Sequence, residues 1–461
     1  MGDTHFRNDS ALEKGSSGRS LTSSLQLANF ARTIRSVMPA QGSRPRKIDI
    51  VILALILAIG IFLRLPPRTF SSSGPLHSIA ALHPTPAYMR KGFDEGLYWE
   101  YVNALVKEGI TSYPNIVEGY IDTQQKLPGS IVPPVRFLYI FAAYLWHCLF
   151  GSEAFEALHQ VAAFFSVLTL CLAAILAWRL RGSTWALAIA ALMAVAPTQI
   201  HMSQHALVDG FFTFWALLCL WLLWENLRVP RDWRWLVAYI LALSLLVLTK
   251  ENSFFVWIAL VVLIVTNRWL QFGTVTRELV IATVLGPLLG VVVLVFLAGG
   301  IATLFHVYQL SVGKNFQLRS AVLTGDGPWY RYLVDLLLVS PVILILALGA
   351  IFRLDRTKKP ELYMSIFIAA SYLVMCNIKY GMNLRYANMW DMPLRFLAFG
   401  SLVALVAPIQ RHRHILLGVA VALICAIELR QYYILAVQYP LYELITNHLV
   451  RALHILKSPL P

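Results

Sequence analysis

Leu158–Trp178, LHQVAAFFSVLTLCLAAILAW, runs straight into Arg179-Leu180-Arg181, and this stretch decides the fold. An apolar run of this length matches the roughly 20 residues that a bilayer-spanning helix needs. The basic triplet marks its end as cytoplasmic, because short loops rich in Lys and Arg stay inside. Comparable runs recur along the chain. Of its 461 residues 58% are hydrophobic and 13% charged, against about 25% charged in a soluble domain. A single soluble core cannot bury so many long apolar helices, so the expected class is an all-α polytopic membrane protein.

Working outward from Arg179 assigns every other segment a side. Ile48–Leu65 is the first span, and a long polar segment follows it, from Pro66 to Ala157. Within that segment, Asp94–Lys107 has helical periodicity, with Leu97, Tyr101, Leu105 and Val106 on one stripe. Val135–Phe150 is apolar but short. Arg179 reaches the inside only if Val135–Phe150 does not cross, so both are read as interfacial helices; the alternative is that 135–150 spans. Then Trp185–Pro197 goes out and Phe211–Trp224 returns, followed outward and inward in turn by Trp235–Leu248, Phe254–Val265, Leu279–Leu297, Tyr332–Phe352, Leu362–Cys376, Pro393–Ala407 and Ile415–Leu429. That makes about eleven spans, with residues 299–328 as an external loop and most basic loops inside.

The expected organisation is a polar, Ser-rich cytoplasmic tail over 1–47, a transmembrane domain over 48–431 with its first external loop at 66–157, and a short external tail over 432–461. The tail before the first run is too long for the n-region of a cleaved signal, so the first span is expected to remain. With no large soluble domain, this favours a bacterial inner membrane, the N-terminus cytoplasmic. The formal charge of +14 sits in short loops between apolar runs and reads as membrane orientation, not nucleic-acid binding. The five cysteines are odd in number and lack C-x-x-C spacing, so they read as small buried hydrophobes.

On this topology the acids gather on the outer face. Asp94 and Glu95 sit in Gly92-Phe93-Asp94-Glu95-Gly96-Leu97-Tyr98. A carboxylate at a membrane boundary defaults to a functional site, and here it would act as general base toward an acceptor hydroxyl or amine. The same residues also suit a helix start, Asp94 as N-cap and Glu95 in the first turn; the two readings are compatible. Asp209 closes His201-Met202-Ser203-Gln204-His205-Ala206-Leu207-Val208-Asp209 and is read as an orienting or charge-balancing acid. The i, i+4, i+8 spacing of His201, His205 and Asp209 would place them on one helical face, the alternative being a divalent-metal site. Lys250-Glu251 either snorkel and pair or hold a phosphate. Arg385 suits bidentate phosphate contact, and Tyr386 beside it stacks or anchors at the interface. Lys126 and Lys379 are further external cations. No P-loop, dinucleotide fingerprint or Ser/His/Asp set is present.

In their order these motifs resemble the C-type membrane glycosyltransferases, most closely the branch of the protein O-mannosyltransferases and the lipid A aminoarabinose transferase. The resemblance runs from Ile48 to Ala407. It rests on the first span, the external loop with Phe93-Asp94-Glu95 and Tyr98, the Lys126–Pro134 segment, Ala206-Leu207-Val208-Asp209, and Leu384-Arg385-Tyr386. It implies a GT-C fold and inverting transfer of a sugar from a polyprenyl-phosphate carrier to an external lipid, glycan or protein acceptor, with no obligatory cofactor or metal. Asp94 matches the catalytic base and Asp209 the second acidic position; Lys126 and Arg385 match positions near the lipid phosphate. There are departures. Leu97 and His205 stand where some members carry Arg, and a Lys-Pro-Pro motif appears here as Lys126-Leu127-Pro128 with Pro133-Pro134 later. The competing readings are a lipid-linked-sugar flippase, which would place charges at mid-depth of the spans where the sequence shows almost none, and a non-catalytic subunit of a membrane complex.

Overall fold

The computed structural model describes residues 46–71, 73–84, 92–315, 327–378, 382–409, 411–439 and 444. Residues 1–45 of the expected tail, Lys379 and most of 432–461 lie outside them. Among the described residues the regular structure is entirely helical.

The chain opens with α1 (Lys47–Arg64), the first span read from sequence. The polar segment beyond it carries α2 (Phe93–Glu108), α3 (Tyr113–Lys126) and α4 (Phe137–Phe150). Two of these were expected; α3, whose glutamines and acids make it polar on average, was not. α4 ends where Gly151 adopts φ +68° and its N–H turns back to the carbonyl of His147, a left-handed stop that glycine makes without a Cβ penalty. Then come α5 (Ala154–Arg181), α6 (Ser183–Ala194), α7 (Pro197–Ser203) and α8 (Val208–Arg228). α9 (Trp233–Val247), α10 (Ser253–Leu270), α11 (Arg277–Leu297) and α12 (Ile301–Asn315) follow. α13 (Arg331–Val339), α14 (Pro341–Ile351), α15 (Lys359–Met375), α16 (Asp391–Val406) and α17 (Arg413–Tyr432) complete the set.

Two expectations need correction and one, the span count, is left unconfirmed. The segment read as one span, Trp185–Pro197, is broken: α6 and α7 meet at 58°, because Pro197 lacks an N–H and pushes the residue before it out of the helical region. The loop expected at 299–328 contains helix α12. Among the described residues, length and composition alone give six candidate spans, or seven with the bent pair as one, so the count of eleven is not confirmed. Helices α4, α9 and α14 are apolar but short.

The break at α6–α7 is closed by Arg64 at the end of α1. Its guanidinium donates to the carbonyl of Met193 at 2.7 Å, of Ala194 at 2.8 Å and of Gly60 at 3.0 Å, and to Ser166 Oγ at 3.0 Å. Backbone carbonyls freed inside a membrane must find such donors. Gly60 makes the approach feasible, for a Cβ there would lie 3.2 Å from that of Ala194.

Basic residues placed inside by the charge rule do meet at one end of the bundle. Arg179 forks onto Glu225 at 2.6–2.8 Å, Arg181 pairs with Glu361 at 2.5 Å, and Lys359 reaches the carbonyl of Gln271 at 2.5 Å. A second apolar cluster, of α2, α3, α4, the first half of α5 and Ala206–Phe211, lies at the other end of α5 and carries the acids.

Candidate active site

α2 begins at Gly92. Glu95 reaches back to accept from the Gly92 N–H at 2.7 Å, so Gly92 is the N-cap and Asp94 is not. Glu95 also accepts from His205 Nδ1 at 3.0 Å and from the Ala206 N–H at 2.9 Å. It is buried; burial alone would raise its pKa, but hydrogen bonding to His205 outweighs that and brings it down to about 2. Glu95 thus ties the start of α2 to the linker that leads into Asp209. Asp94, one residue earlier, faces elsewhere. Its side chain is 29% exposed and lies 3.3 Å from both Nη atoms of Arg385.

Arg385 is carried by a 3₁₀ turn, Leu384–Trp390, in which its own N–H donates to the capping Asn383 Oδ1 at 2.9 Å. Asp209, in the first turn of α8, pairs with Lys250 Nζ at 2.5 Å. Lys250 sits in the turn between α9 and α10, with its ammonium 4.0 Å from the ring centre of Tyr386, a cation–π distance. Burial pulls the Lys250 pKa down to about 8, against the opposing pull of Asp209.

A third pair completes the cluster. Arg136 Nη2 lies 3.1 Å from Glu251, and its Nη1 donates to Tyr98 Oη at 2.7 Å. Burial would raise the Glu251 carboxyl, but Arg136 holds it below the ordinary range. The start of α4 is docked on this turn by Leu138 N–H to the Leu248 carbonyl at 2.9 Å. Tyr98 itself packs edge-on against Tyr139 at 5.2 Å.

The structure therefore assembles Asp94, Glu95, Tyr98, His205, Asp209, Lys250, Glu251, Arg385 and Tyr386, from segments up to 291 residues apart in sequence. It does not bring in Lys126, which is exposed at the end of α3 without an ion pair among the described residues. The carbonyls near it, of Gln124, Gln125 and Leu127, are taken by Lys314 at 2.5–3.0 Å. The metal alternative loses its geometric basis. His201 lies in α7, which ends at Ser203, while His205 lies in the linker and Asp209 in α8, so they do not share a helical face. His205 turns to Glu95 and Asp209 to Lys250. No group of three or more side chains that could hold a metal occurs among the described residues.

Sequence reading missed Arg136. Its signal was there: it is the only Lys, Arg, Asp or Glu between Lys126 and Glu153, at the mouth of an apolar helix where a lone guanidinium needs a partner.

The model of a family described as dolichyl-phosphate-mannose-protein mannosyltransferase matches residues 149–308. By sequence, no curated protein matches the chain. Among solved structures, ArnT from Cupriavidus metallidurans in the apo state is 16% identical, over 84% of this chain and 75% of that one, with a TM-score of 0.50. The same protein bound to undecaprenyl phosphate gives 17%, 84%, 71% and 0.51. The Archaeoglobus fulgidus oligosaccharyltransferase, tethered to an acceptor peptide, is 14% identical over 85% of this chain, with a TM-score of 0.52. This chain covers 55% of the length of that enzyme. The fold is that of the C-type membrane glycosyltransferases. Within the C-type fold, the match to the mannosyltransferase family covers α5 through the first half of α12 and includes Asp209, Lys250 and Glu251.

Proposed function

We propose that this protein is an inverting glycosyltransferase that moves a monosaccharide, a hexose or pentose, from a polyprenyl-phosphate carrier to an acceptor on the external face of a membrane. One observation carries the reading: three carboxylates and three cations interleave at one end of the bundle, and Asp94, partly open to solvent, is paired among the described residues with Arg385 alone. The C-type fold and the family match over 149–308 support it.

In this reading a lipid phosphate competes with Asp94, Asp209 and Glu251 for Arg385, Lys250 and Arg136. Arg supplies planar paired donors and Lys a compact charge. Capture of Arg385 by the phosphate releases Asp94. The freed carboxylate takes the proton of the acceptor hydroxyl or amine as its lone pair attacks the anomeric carbon. The sugar–phosphate bond breaks on the opposite face, and the electron pair leaves on polyprenyl phosphate, stabilised by the cations. Asp209 keeps Lys250 in place, and Glu95 holds the start of α2 against the 204–207 linker.

A flippase would need charges along a path through the spans. Contrary to the sequence reading, buried charges do occur there: Arg395 bridges Asp391 at 3.0 Å and Glu428 at 2.6 Å. They are bonded to one another and to Ser340, which suits a structural staple better than a path.

The test is release of polyprenyl phosphate from a panel of labelled polyprenyl-phospho-sugars, with membrane extract as acceptor source. Wild type should release it from one donor. Asp94→Asn should lose about 10²–10⁴-fold of the rate, the usual contribution of a general base, and still bind donor. Full turnover by that variant would remove Asp94 from the role; no release from any donor would sink the transferase reading.

A further inference from the structure

Two short loops meet at the Arg179 end of the bundle, away from Asp94. One, 229–232, joins α8 to α9; the other, 271–276, joins α10 to α11. The Thr274 N–H donates to the Leu227 carbonyl at 2.8 Å. Gly273 lies so close to Leu227 that a Cβ there would fall 2.1 Å from the same carbonyl. Asn267 closes the second loop on itself, accepting from the Gly273 N–H at 3.1 Å and donating to its carbonyl at 3.0 Å. These bonds draw Arg228, Arg231, Arg234, Arg268 and Arg277 onto one joined pair of loops, against two acids, Asp232 and Glu278.

Other cations at this end are taken up. Arg179 pairs with Glu225, Arg181 with Glu361 and Lys358 with Asp355, while Lys359 donates to the Gln271 carbonyl. Arg228, Arg231, Arg268 and Arg277 are exposed and stand in no ion pair among the described residues. Positive charge alone would orient a loop equally well with lysine. The five cations here are all arginine, whose planar fork suits phosphate and is weakly hydrated.

The backbone adds a second observation. Among the described residues only two other than glycine have positive φ, Arg231 at +68° and Gln271 at +54°, one in each loop. Gln271 is explained as the left-handed C-cap of α10. Arg231 caps nothing, for α8 already ends at Val229. Glycine would take this conformation without strain, and arginine is not among the residues enriched there. Strain of this kind points to a use for the side chain that it presents.

The surroundings say what kind of anion is met. Each loop carries an exposed tryptophan beside its arginines, Trp233 at 67% and Trp269 at 60%, the residue that settles at headgroup depth. Exposed aliphatic side chains continue from the arginines along the helices. Val237 and Leu241 stand three and seven residues beyond Arg234, Val265 three before Arg268, and Ile281 and Val284 four and seven beyond Arg277. Those spacings share a helix face. Charge, indole and aliphatic surface thus follow one another in the order of a phospholipid's head, glycerol region and chains. A soluble anion would need only the first.

We propose that these joined loops form a headgroup site for an anionic phospholipid, its phosphate held by Arg231, Arg268 and Arg277 and its chains lying along the exposed faces of α9, α10 and α11. The site is distinct from the cluster of Arg385, Lys250 and Arg136 at the other end, and it stands whatever reaction that cluster performs.

The experiment counts bound lipid by native mass spectrometry on the full chain, purified in detergent, stripped of lipid and titrated with phosphatidylglycerol or with phosphatidylcholine of the same chains. Wild type should retain phosphatidylglycerol about tenfold better, since each arginine near an anionic head is worth up to about fivefold. The variant R231Q/R268Q/R277Q should bind the two lipids alike. The variant R353Q/R356Q/R411Q removes as much charge from loops without tryptophan and should keep the wild-type preference. Glycerol 3-phosphate, a head without chains, should not displace phosphatidylglycerol at millimolar concentration. The proposal is overturned by equal retention of both lipids in wild type, by a preference that survives in the first variant, by an equal loss in the second, or by displacement with glycerol 3-phosphate, which would make this a site for soluble anions. The wild-type comparison and the displacement decide the matter even if a triple variant does not fold.

Discussion

Lys250 is the residue whose chemistry is most sensitive to its surroundings. Burial brings its pKa down to about 8, so the ammonium is charged below that pH and neutral above it. A site that uses the charge to hold a phosphate must weaken as pH rises through about 8. Donor binding measured from pH 6.5 to 9.5 should therefore show an alkaline decline centred near 8. In Lys250→Arg that decline should move beyond the measured range, since a guanidinium stays protonated. An unchanged decline in the arginine variant would mean that another group titrates. The pairing itself could be read only in part from sequence. Asp209 and Lys250 were both singled out, and Glu251 beside them, because isolated charges at span ends are unusual. Which acid meets which base could not be read, for it depends on the crossing of α8, α9 and the 384–390 turn.

Single elements show where pattern reading works and where it stops. Long spans such as α5, α8 and α11 lie close to their expected ranges because apolar periodicity is unambiguous over twenty residues. The break at Pro197 was missed although proline announces it, since continuity of hydrophobicity hid the loss of a backbone bond. The proposed His201, His205 and Asp209 face fell at a second break, between Ser203 and Val208: spacing of i, i+4, i+8 has meaning only within one helix. The C-terminal ends of α5 and α8 are joined by Arg179 and Glu225, whose side chains are 7% and 0% exposed. Removing one member of such a pair strands a buried charge, at a cost of about 3–5 kcal/mol, while replacing both by apolar residues is often neutral. Arg179→Met and Glu225→Met should each lower the unfolding temperature in detergent sharply, and the double variant should regain most of it. Losses that simply add would show that the two charges do not act as a pair.

Across the whole molecule, charge divides the protein into two ends. Arg179, Arg181 and Lys359 gather with Glu225, Glu361 and the 271 carbonyl at one, and the Asp94–Arg385, Asp209–Lys250 and Glu251–Arg136 pairs at the other. The two ends of α5 connect them over 28 residues, a rise of about 42 Å at 1.5 Å per residue, which exceeds the roughly 30 Å hydrocarbon core. A helix of that length can place one end in each aqueous compartment, and on the positive-inside rule we propose that the Arg179 end is the cytoplasmic one. This can be checked in intact cells after replacing the five cysteines by alanine. A cysteine at Glu118, exposed on α3, should react with a membrane-impermeant maleimide without permeabilisation. A cysteine at Arg356, exposed between α14 and α15, should react only after the membrane is opened. The opposite pattern would invert the protein and place the proposed chemistry in the cytoplasm, where the acceptor would have to be sought; reaction of both without opening would mean that α5 does not cross, and would dismantle the assignment of sides built on Arg179.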